Sequence, residues 1–328
     1  MRLGVAVTCV LLFAGGIGFA HRSEGAVTAS GVVDVTTNLA YENGSAAGTG
    51  IVLTPSGRVL TNNHVIRGAT TIRVTDPNTE RSYRATVLGY SVTGDIALLQ
   101  LKNVSNLSTV AIGDSSRVRI GQRVTAVGNA GGVGGTPSSA EGTITGLDRS
   151  ITVSDGDGRS ARLTHLIRID AALEPGDSGG PLFNTSGRVI GVNAAASVGF
   201  EFRTSNEGYA IPINRALGVV REISAHRPSV TIHVGPTPFL GLSLAASREG
   251  LGSGPFVAGV ATGSPADRAG ILVGSLITKM DGRALATRDD LLTRLLRHQV
   301  GDTVTLRWID RSGKSHSAGI KTIAGPPQ

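Results

Sequence analysis

Between about residues 28 and 213, hydrophobic positions come in short runs broken by Gly, Asn, Asp and Ser. Gly50–Thr54, Thr71–Thr75, Ala85–Gly89, Ile96–Leu101, Arg123–Val127, Leu166–Ile169 and Val189–Asn193 read as strands. Short β-rich runs at this spacing predict a barrel or a sandwich. The first helix is predicted at Asn214–Ser224, where Leu217, Val220 and Ile223 recur at helical spacing. Residues 225–236 hold two prolines and no helical pattern, and read as a linker. A second unit over 237–325 mixes strands (Val257–Ala261, Leu276–Met280, Thr303–Ile309) with a helix at Arg288–Arg297. Val304, Leu306 and Trp308 alternate as in a strand with one buried face. Thr287 followed by Asp290 resembles a capping box.

Composition supports the β reading. Glycine supplies 46 of 328 residues, about 14% against a usual share of about 7%. Gly inside a helix costs about 1 kcal/mol relative to Ala, so the excess argues against a helical bundle or coiled coil. With 40% hydrophobic and 17% charged residues the chain is not a disordered one. Its length allows one large domain or two ordinary ones, each with its own core. The formal charge of +7 is dispersed, with no basic run of five or more. Without a basic cluster interleaved with aromatics, no nucleic-acid partner is expected. One cysteine, Cys9, excludes an internal disulfide framework and a cysteine-based zinc site. Ser154-Asp155-Gly156-Asp157-Gly158 lacks the third ligand position and the distal Glu of a calcium loop and reads as a flexible regulatory loop. No metal or cofactor is expected.

Residues 1–20 carry a charge only at the start, at Arg2 and the amino terminus. Gly18 and Ala20 put small residues at the −3 and −1 positions of a cleavage after Ala20. The apolar stretch Leu3–Ala20 also just reaches membrane-spanning length. A cleaved export signal and a retained membrane anchor therefore both stay open. Either places residues 21–328 outside the cytoplasm, secreted or in the cell envelope. Cleavage after Ala20 would leave a mature chain with no thiol.

Candidate chemistry centres on Gly176-Asp177-Ser178-Gly179-Gly180-Pro181-Leu182. A serine nucleophile needs an exposed Oγ and nearby backbone N–H donors, and flanking glycines permit the tight turn that provides both. Its base should be a histidine oriented by a carboxylate. His64, in Thr61-Asn62-Asn63-His64-Val65, and Asp95, in Gly94-Asp95-Ile96-Ala97-Leu98-Leu99, are the upstream candidates. Asp95 follows His64 by 31 residues and Ser178 follows Asp95 by 83. The order His, Asp, Ser is that of chymotrypsin-like peptidases, whereas the nucleophile elbow of α/β hydrolases requires Ser, Asp, His. His165, a rival base, sits in what reads as a strand edge.

The chain resembles the HtrA-type (DegP/DegS-like) serine proteases, a trypsin-like domain followed by one PDZ domain, in the short exported form found in actinobacteria. The resemblance spans about residues 28 to 322 and rests on GTGIVLTPSGRVLTNNHVI, GDIALLQL, IGDSSRVRIGQRVTAVGN, IDAALEPGDSGGPLFN, GRVIGVNAA and GYAIPIN. It implies a mostly β fold: a chymotrypsin-like double β-barrel over 28–224, a linker at 225–236 and a small α+β PDZ domain over 237–325. By motif match, Ser178 is the nucleophile, His64 the base, Asp95 its orienting carboxylate, and the N–H groups of Gly176 and Ser178 the oxyanion hole. The base of the primary specificity pocket falls on Ala172, six residues before the nucleophile, with Asn193, Ala195 and their neighbours as its wall. A small uncharged base implies cleavage after Ala, Val, Ile or Leu. Asp177 and Glu174 stand where the family usually has Asn, which puts the resting conformation of this loop in question.

In the second unit, Pro238-Phe239-Leu240-Gly241-Leu242 resembles a PDZ carboxylate-binding loop, with Leu291 and Leu295 facing it from the helix to form an apolar pocket. The alternative is that these leucines are plain core. The family implies protein and peptide substrates, PDZ ligand peptides and a homotrimer. An ATP-independent extracytoplasmic endopeptidase for misfolded or specific envelope proteins is the expectation. A chaperone-like peptide binder with a latent site is the alternative, and residue order disfavours an esterase.

Overall fold

The computed structural model describes residues 30–41, 44–155, 159–194, 207–245 and 254–328. The leader read at 1–20, Ala195 and the tip of the 154–158 loop lie outside them.

Strands β1 (Val32–Leu39), β2 (Gly44–Val52), β3 (Arg58–Thr61), β4 (Thr71–Asp76), β5 (Arg81–Ser91) and β6 (Ile96–Leu101) form one sheet in the order β5-β4-β1-β2-β3-β6. Pairing of β5 with β6 closes it into a barrel. A single helical turn, α1 (Asn63–Ile66), follows β3. β6 is apolar at every position but Gln100 because both of its faces are buried. Ala97, Leu99 and Leu101 fill the barrel with Val33, Val35 and Val59. Ile96 and Leu98 point the other way, into a layer shared with Leu163, Leu166, Phe183 and Val192.

That layer is the seam with a second barrel, β7 (Ala111–Ile112), β8 (Arg123–Gly128), β9 (Ser138–Asp155), β10 (Arg159–Ile169), β11 (Pro181–Asn184), β12 (Arg188–Asn193) and β13 (Gly208–Pro212). Here β11 and β12 close the sheet, and Val124, Ile144, Ile167, Leu182 and Ile190 fill it. Helix α2 (Ile213–Ser224) lays Ala216, Val220 and Ile223 on the seam. The architecture is mostly β, a chymotrypsin-like double barrel with a C-terminal PDZ unit.

The segment 225–236, read as a linker, differs from that expectation. His233 and Val234 form β14, which pairs antiparallel with Tyr90 and Gly89 of β5 and so extends the first barrel's sheet. A two-residue strand has no periodicity to reveal it.

The C-terminal unit contains β15 (Thr237–Phe239), β16 (Leu242–Ala245), β17 (Phe256–Val260), α3 (Pro265–Arg268), β18 (Leu276–Met280), β19 (Arg283–Ala284), α4 (Arg288–Leu295), β20 (Thr303–Ile309), β21 (Ser315–Lys321) and β22 (Ile323–Gly325). Its main sheet runs β16-β17-β18-β20-β21. The capping box at α4 forms as read: Thr287 accepts from the Asp290 N–H, and Asp290 accepts from the Thr287 N–H. Its carboxyl is held below the usual range, chiefly by backbone donors from Ala286 and Thr287. α4 ends at Leu295, two residues before the expected end.

Candidate active site

His64 sits on α1, directly after β3. Asp95 begins the entry into β6 with φ +50, a left-handed conformation that Asp tolerates better than most side chains. Asn62 secures this bend by donating Nδ2–H to the Asp95 carbonyl at 2.8 Å. The Asp95 carboxylate is divided between two donors on one residue. Oδ1 accepts the His64 backbone N–H at 3.0 Å, and Oδ2 meets the His64 ring Nδ1 at 2.8 Å. A carboxylate only accepts, so Nδ1 carries the proton and Nε2 is left as the basic nitrogen. The His64 side chain is 24% exposed and that of Asp95 8%: the ring reaches the surface while its orienting acid is shielded.

Ser178 lies on the tight turn between β10 and β11. Gly176 (φ +102) and Gly179 (φ +85) occupy conformations that side chains avoid. Space excludes a side chain too. A Cβ on Gly176 would stand 2.0 Å from the Asn129 carbonyl oxygen, and one on Gly179 2.2 Å from that of Thr49. Gly179 also presses on Thr61 and Asn62, so the serine turn rests on the segment that leads into His64. The Thr49 N–H donates to the Ser178 carbonyl at 2.8 Å. Asp177, where the resembled family carries Asn, accepts the Glu174 N–H at 2.9 Å and so ties the loop before Ser178 into a closed turn.

The residues read as the specificity pocket divide. Ala172 is exposed, between the buried Ala171 and Leu173. Asn193 has a different task from the pocket wall assigned to it. It is fully buried, and its Nδ2 donates to the carbonyls of Val127 and Pro181 at 3.2 and 3.3 Å. Its backbone meanwhile exchanges bonds with Gly179 and Gly180. It braces the serine turn from behind. His165, the rival base, pairs with Asp148 at 2.5 Å on the exposed β9–β10 hairpin.

In the PDZ unit, Gly241 adopts φ +84 against Ser264, and the Leu240 and Gly241 carbonyls accept from Ala266 and Ala261. Leu240, Leu291 and Leu295 are buried in one core cluster, with Leu242 packed against it. All four also line a cavity of about 530 Å³ that reaches His64 and Asp95 on the other side. Core and pocket are thus the same leucines. β16 ends the sheet order, so its outer edge is unpaired within the described sheet.

Three positions escaped the sequence reading: Thr49, Asn62 and Asn129. Thr49 and Asn62 donate from their side chains to the Gly176 and Asp95 carbonyls, and Asn129 donates its backbone N–H to the Thr49 hydroxyl. One signal for Thr49 was available. It lies between Gly48 and Gly50 inside a strand, and strand glycines often mark close backbone approach.

Two barrels meeting at a carboxylate-oriented histidine and a Gly-Asp-Ser-Gly-Gly turn define the trypsin-like class of serine peptidases. Residues 48–192 match the trypsin-like peptidase domain family and residues 238–322 the PDZ domain family. Serine protease PepD of Mycobacterium tuberculosis is 31% identical over 306 residues, covering 88% of this chain and 63% of that protein. Serine protease Do-like HtrA of Lactobacillus helveticus is 33% identical over 293 residues, covering 84% of this chain and 68% of that protein. A probable periplasmic serine protease do/HhoA-like of Haemophilus influenzae is 35% identical, covering 84% of this chain and 58% of that protein. The solved HtrA-type protease AlgW with a tripeptide superposes with TM-score 0.51 at 28% identity, covering 92% of this chain and 95% of that one. The chain belongs to the HtrA family of serine proteases, and it spans only about six-tenths of the length of the Mycobacterium and Haemophilus relatives, 63% and 58%. Among the described residues no helix is long and apolar enough to cross a membrane.

Proposed function

We propose that the chain is an exported, ATP-independent serine endopeptidase with a peptidase domain over 28–224, a connecting segment at 225–236 and a PDZ domain over 237–325. The observation that carries this reading is the divided Asp95 carboxylate, which fixes both the backbone and the ring of His64 at 3.0 and 2.8 Å. Ser178 Oγ attacks the scissile carbonyl carbon while its proton passes to His64 Nε2. Asp95 keeps Nδ1 protonated and stabilises the imidazolium. The N–H groups of Gly176 and Ser178 stabilise the oxyanion. Collapse of the tetrahedral species sends the His64 proton to the leaving amine, and water then releases the acyl group by the same route.

Ala172 places no charge in the primary pocket, so cleavage falls after Ala, Val, Ile or Leu. The open edge of β16 pairs with an extended peptide whose C-terminal carboxylate meets the Leu240-Gly241-Leu242 backbone and whose last side chain enters between Leu291 and Leu295. Substrates are misfolded or specific envelope proteins; one relative is named a probable periplasmic protease, and the leader pattern of residues 1–20 agrees with export. Family resemblance makes the assembly a homotrimer, with residues 1–20 either a cleaved signal or an anchor.

Labelling by a fluorophosphonate together with casein hydrolysis tests this reading. Both are expected in the parent protein and both vanish in Ser178→Ala. A parent that binds peptides but is neither labelled nor active overturns the endopeptidase reading in favour of a chaperone-like binder. A peptide-library profile dominated by Arg or Lys before the cut would overturn the specificity.

A further inference from the structure

We infer that Thr49 is a positioning residue for the oxyanion hole, acting through the serine turn and the glycine loop beside it; this rests on the endopeptidase reading above. Thr49 is fully buried on β2, and every polar group it owns is spent around the catalytic residues. Its N–H donates to the Ser178 carbonyl at 2.8 Å. Its carbonyl accepts the Thr61 hydroxyl at 2.7 Å, three residues before His64. Its own hydroxyl donates to the Gly176 carbonyl at 2.7 Å and accepts the Asn129 N–H at 2.8 Å. A hydroxyl has one proton to give, so these two partners define its rotamer.

The flanking residues are small because this approach is close. A Cβ on Gly48 would lie 2.7 Å from the Val65 side chain and 3.1 Å from the Ser178 carbonyl oxygen, and one on Gly50 2.6 Å from Val59.

The consequence for catalysis comes through peptide planes. Asn129 opens the loop whose Gly131 N–H donates to the Pro175 carbonyl at 2.7 Å. In a trans peptide the carbonyl and the N–H point in opposite directions. Drawing the Pro175 carbonyl into the loop therefore turns the Gly176 N–H away from the loop. The Thr49 hydroxyl holds the next carbonyl of the same turn, that of Gly176, and also holds Asn129, two residues before the donor Gly131. Its two bonds register the loop against the turn, and the orientation of the Gly176 donor depends on that register. Without the hydroxyl, the Gly176 carbonyl and the Asn129 N–H lose a partner, and the planes of the turn are free to rotate.

Thr49→Val keeps the shape and all backbone bonds while removing both hydroxyl bonds; Thr49→Ser keeps them. With a fluorogenic peptide carrying Val before the cut, kcat of Thr49→Val should fall on the order of 10- to 100-fold, short of the loss of a whole oxyanion donor. KM should stay within about threefold, because ground-state contacts are untouched. Affinity for a peptide boronate, whose adduct carries the tetrahedral charge, should fall with kcat, and Thr49→Ser should restore both. Should Thr49→Val fail to fold, Thr49→Cys, with its weak donor, replaces it and the same split is required. A Thr49→Val enzyme with unchanged kcat and boronate affinity overturns the inference. So does a Thr49→Ser enzyme as impaired as Thr49→Val, because that would mark a packing role. A parent protein without turnover would instead overturn the endopeptidase reading.

Discussion

Asp34 is a carboxylate in the wrong place for stability at neutral pH. It lies on β1 opposite Thr49 of β2 and Thr75 of β4, only 5% exposed. Burial pushes its pKa from 3.8 up to about 6, and the Gly135 N–H, which donates to it, offsets part of that rise. Below pH 3.8 the carboxyl is protonated in folded and unfolded chains alike and costs nothing. Between pH 3.8 and about 6 the unfolded chain ionises while the folded one does not, so folding loses free energy steadily as pH rises. Above about pH 6 the penalty is complete and flat. Two pH units at about 1.4 kcal/mol each set its size at about 3 kcal/mol as a ceiling. Asp34→Asn keeps the shape and an acceptor for Gly135 but cannot ionise. At pH 8 its Tm should exceed that of the parent by several degrees, at roughly 2–4 °C per kcal/mol. The gain should shrink below pH 6 and vanish near pH 4, followed by scanning calorimetry across that range. A gain that is constant with pH, or largest at pH 4, would refute the reasoning. Gly134 and Gly135 belong to the same loop that Asn129 opens, so kcat of this variant measures how far the loop's distal end reaches the serine turn.

Gly176→Ala should abolish most turnover, by at least about 100-fold in kcat, because the new Cβ would collide with the Asn129 carbonyl at 2.0 Å and the Gly132 nitrogen at 2.7 Å. A near-parental kcat would mean that the turn can move aside without loss. Tyr90, fully buried, shares its hydroxyl with Thr237 at 3.2 Å and with the Gln328 backbone. Burial pushes its pKa to about 12, which keeps it a neutral donor. Tyr90→Phe strips that bond between the first barrel and β15, and should lower stability by the roughly 1 kcal/mol that a buried hydrogen bond contributes, a Tm drop of roughly 2–4 °C. An unchanged melting curve would show that the hydroxyl contact carries no weight.

Local rules sufficed wherever one stretch of chain contains its own physical cause. The capping box at Thr287 and Asp290, the stripe on α2 and the double-sided apolar run of β6 follow from residues within a few positions of one another. The proposed catalytic residues stood out for a related reason. A nucleophilic serine needs glycines on both sides, and a base needs an orienting acid in a recognisable setting, so such chemistry writes itself into short motifs. Thr49 left no such trace. Its partners Gly176 and Asn129 lie 127 and 80 residues away, and a threonine in a strand looks like any other strand residue. Asn193 read as a pocket wall through the family resemblance, yet its amide turns inward to the Val127 and Pro181 carbonyls, which only the closed barrel brings there. The pairing of His233 and Val234 with β5 is likewise too short to carry a pattern. Sequence alone pointed to the residues proposed to do the chemistry and to many of the segments that become strands. Tertiary structure decided what holds those atoms still, because hydrogen bonds between distant backbones depend on where two barrels close.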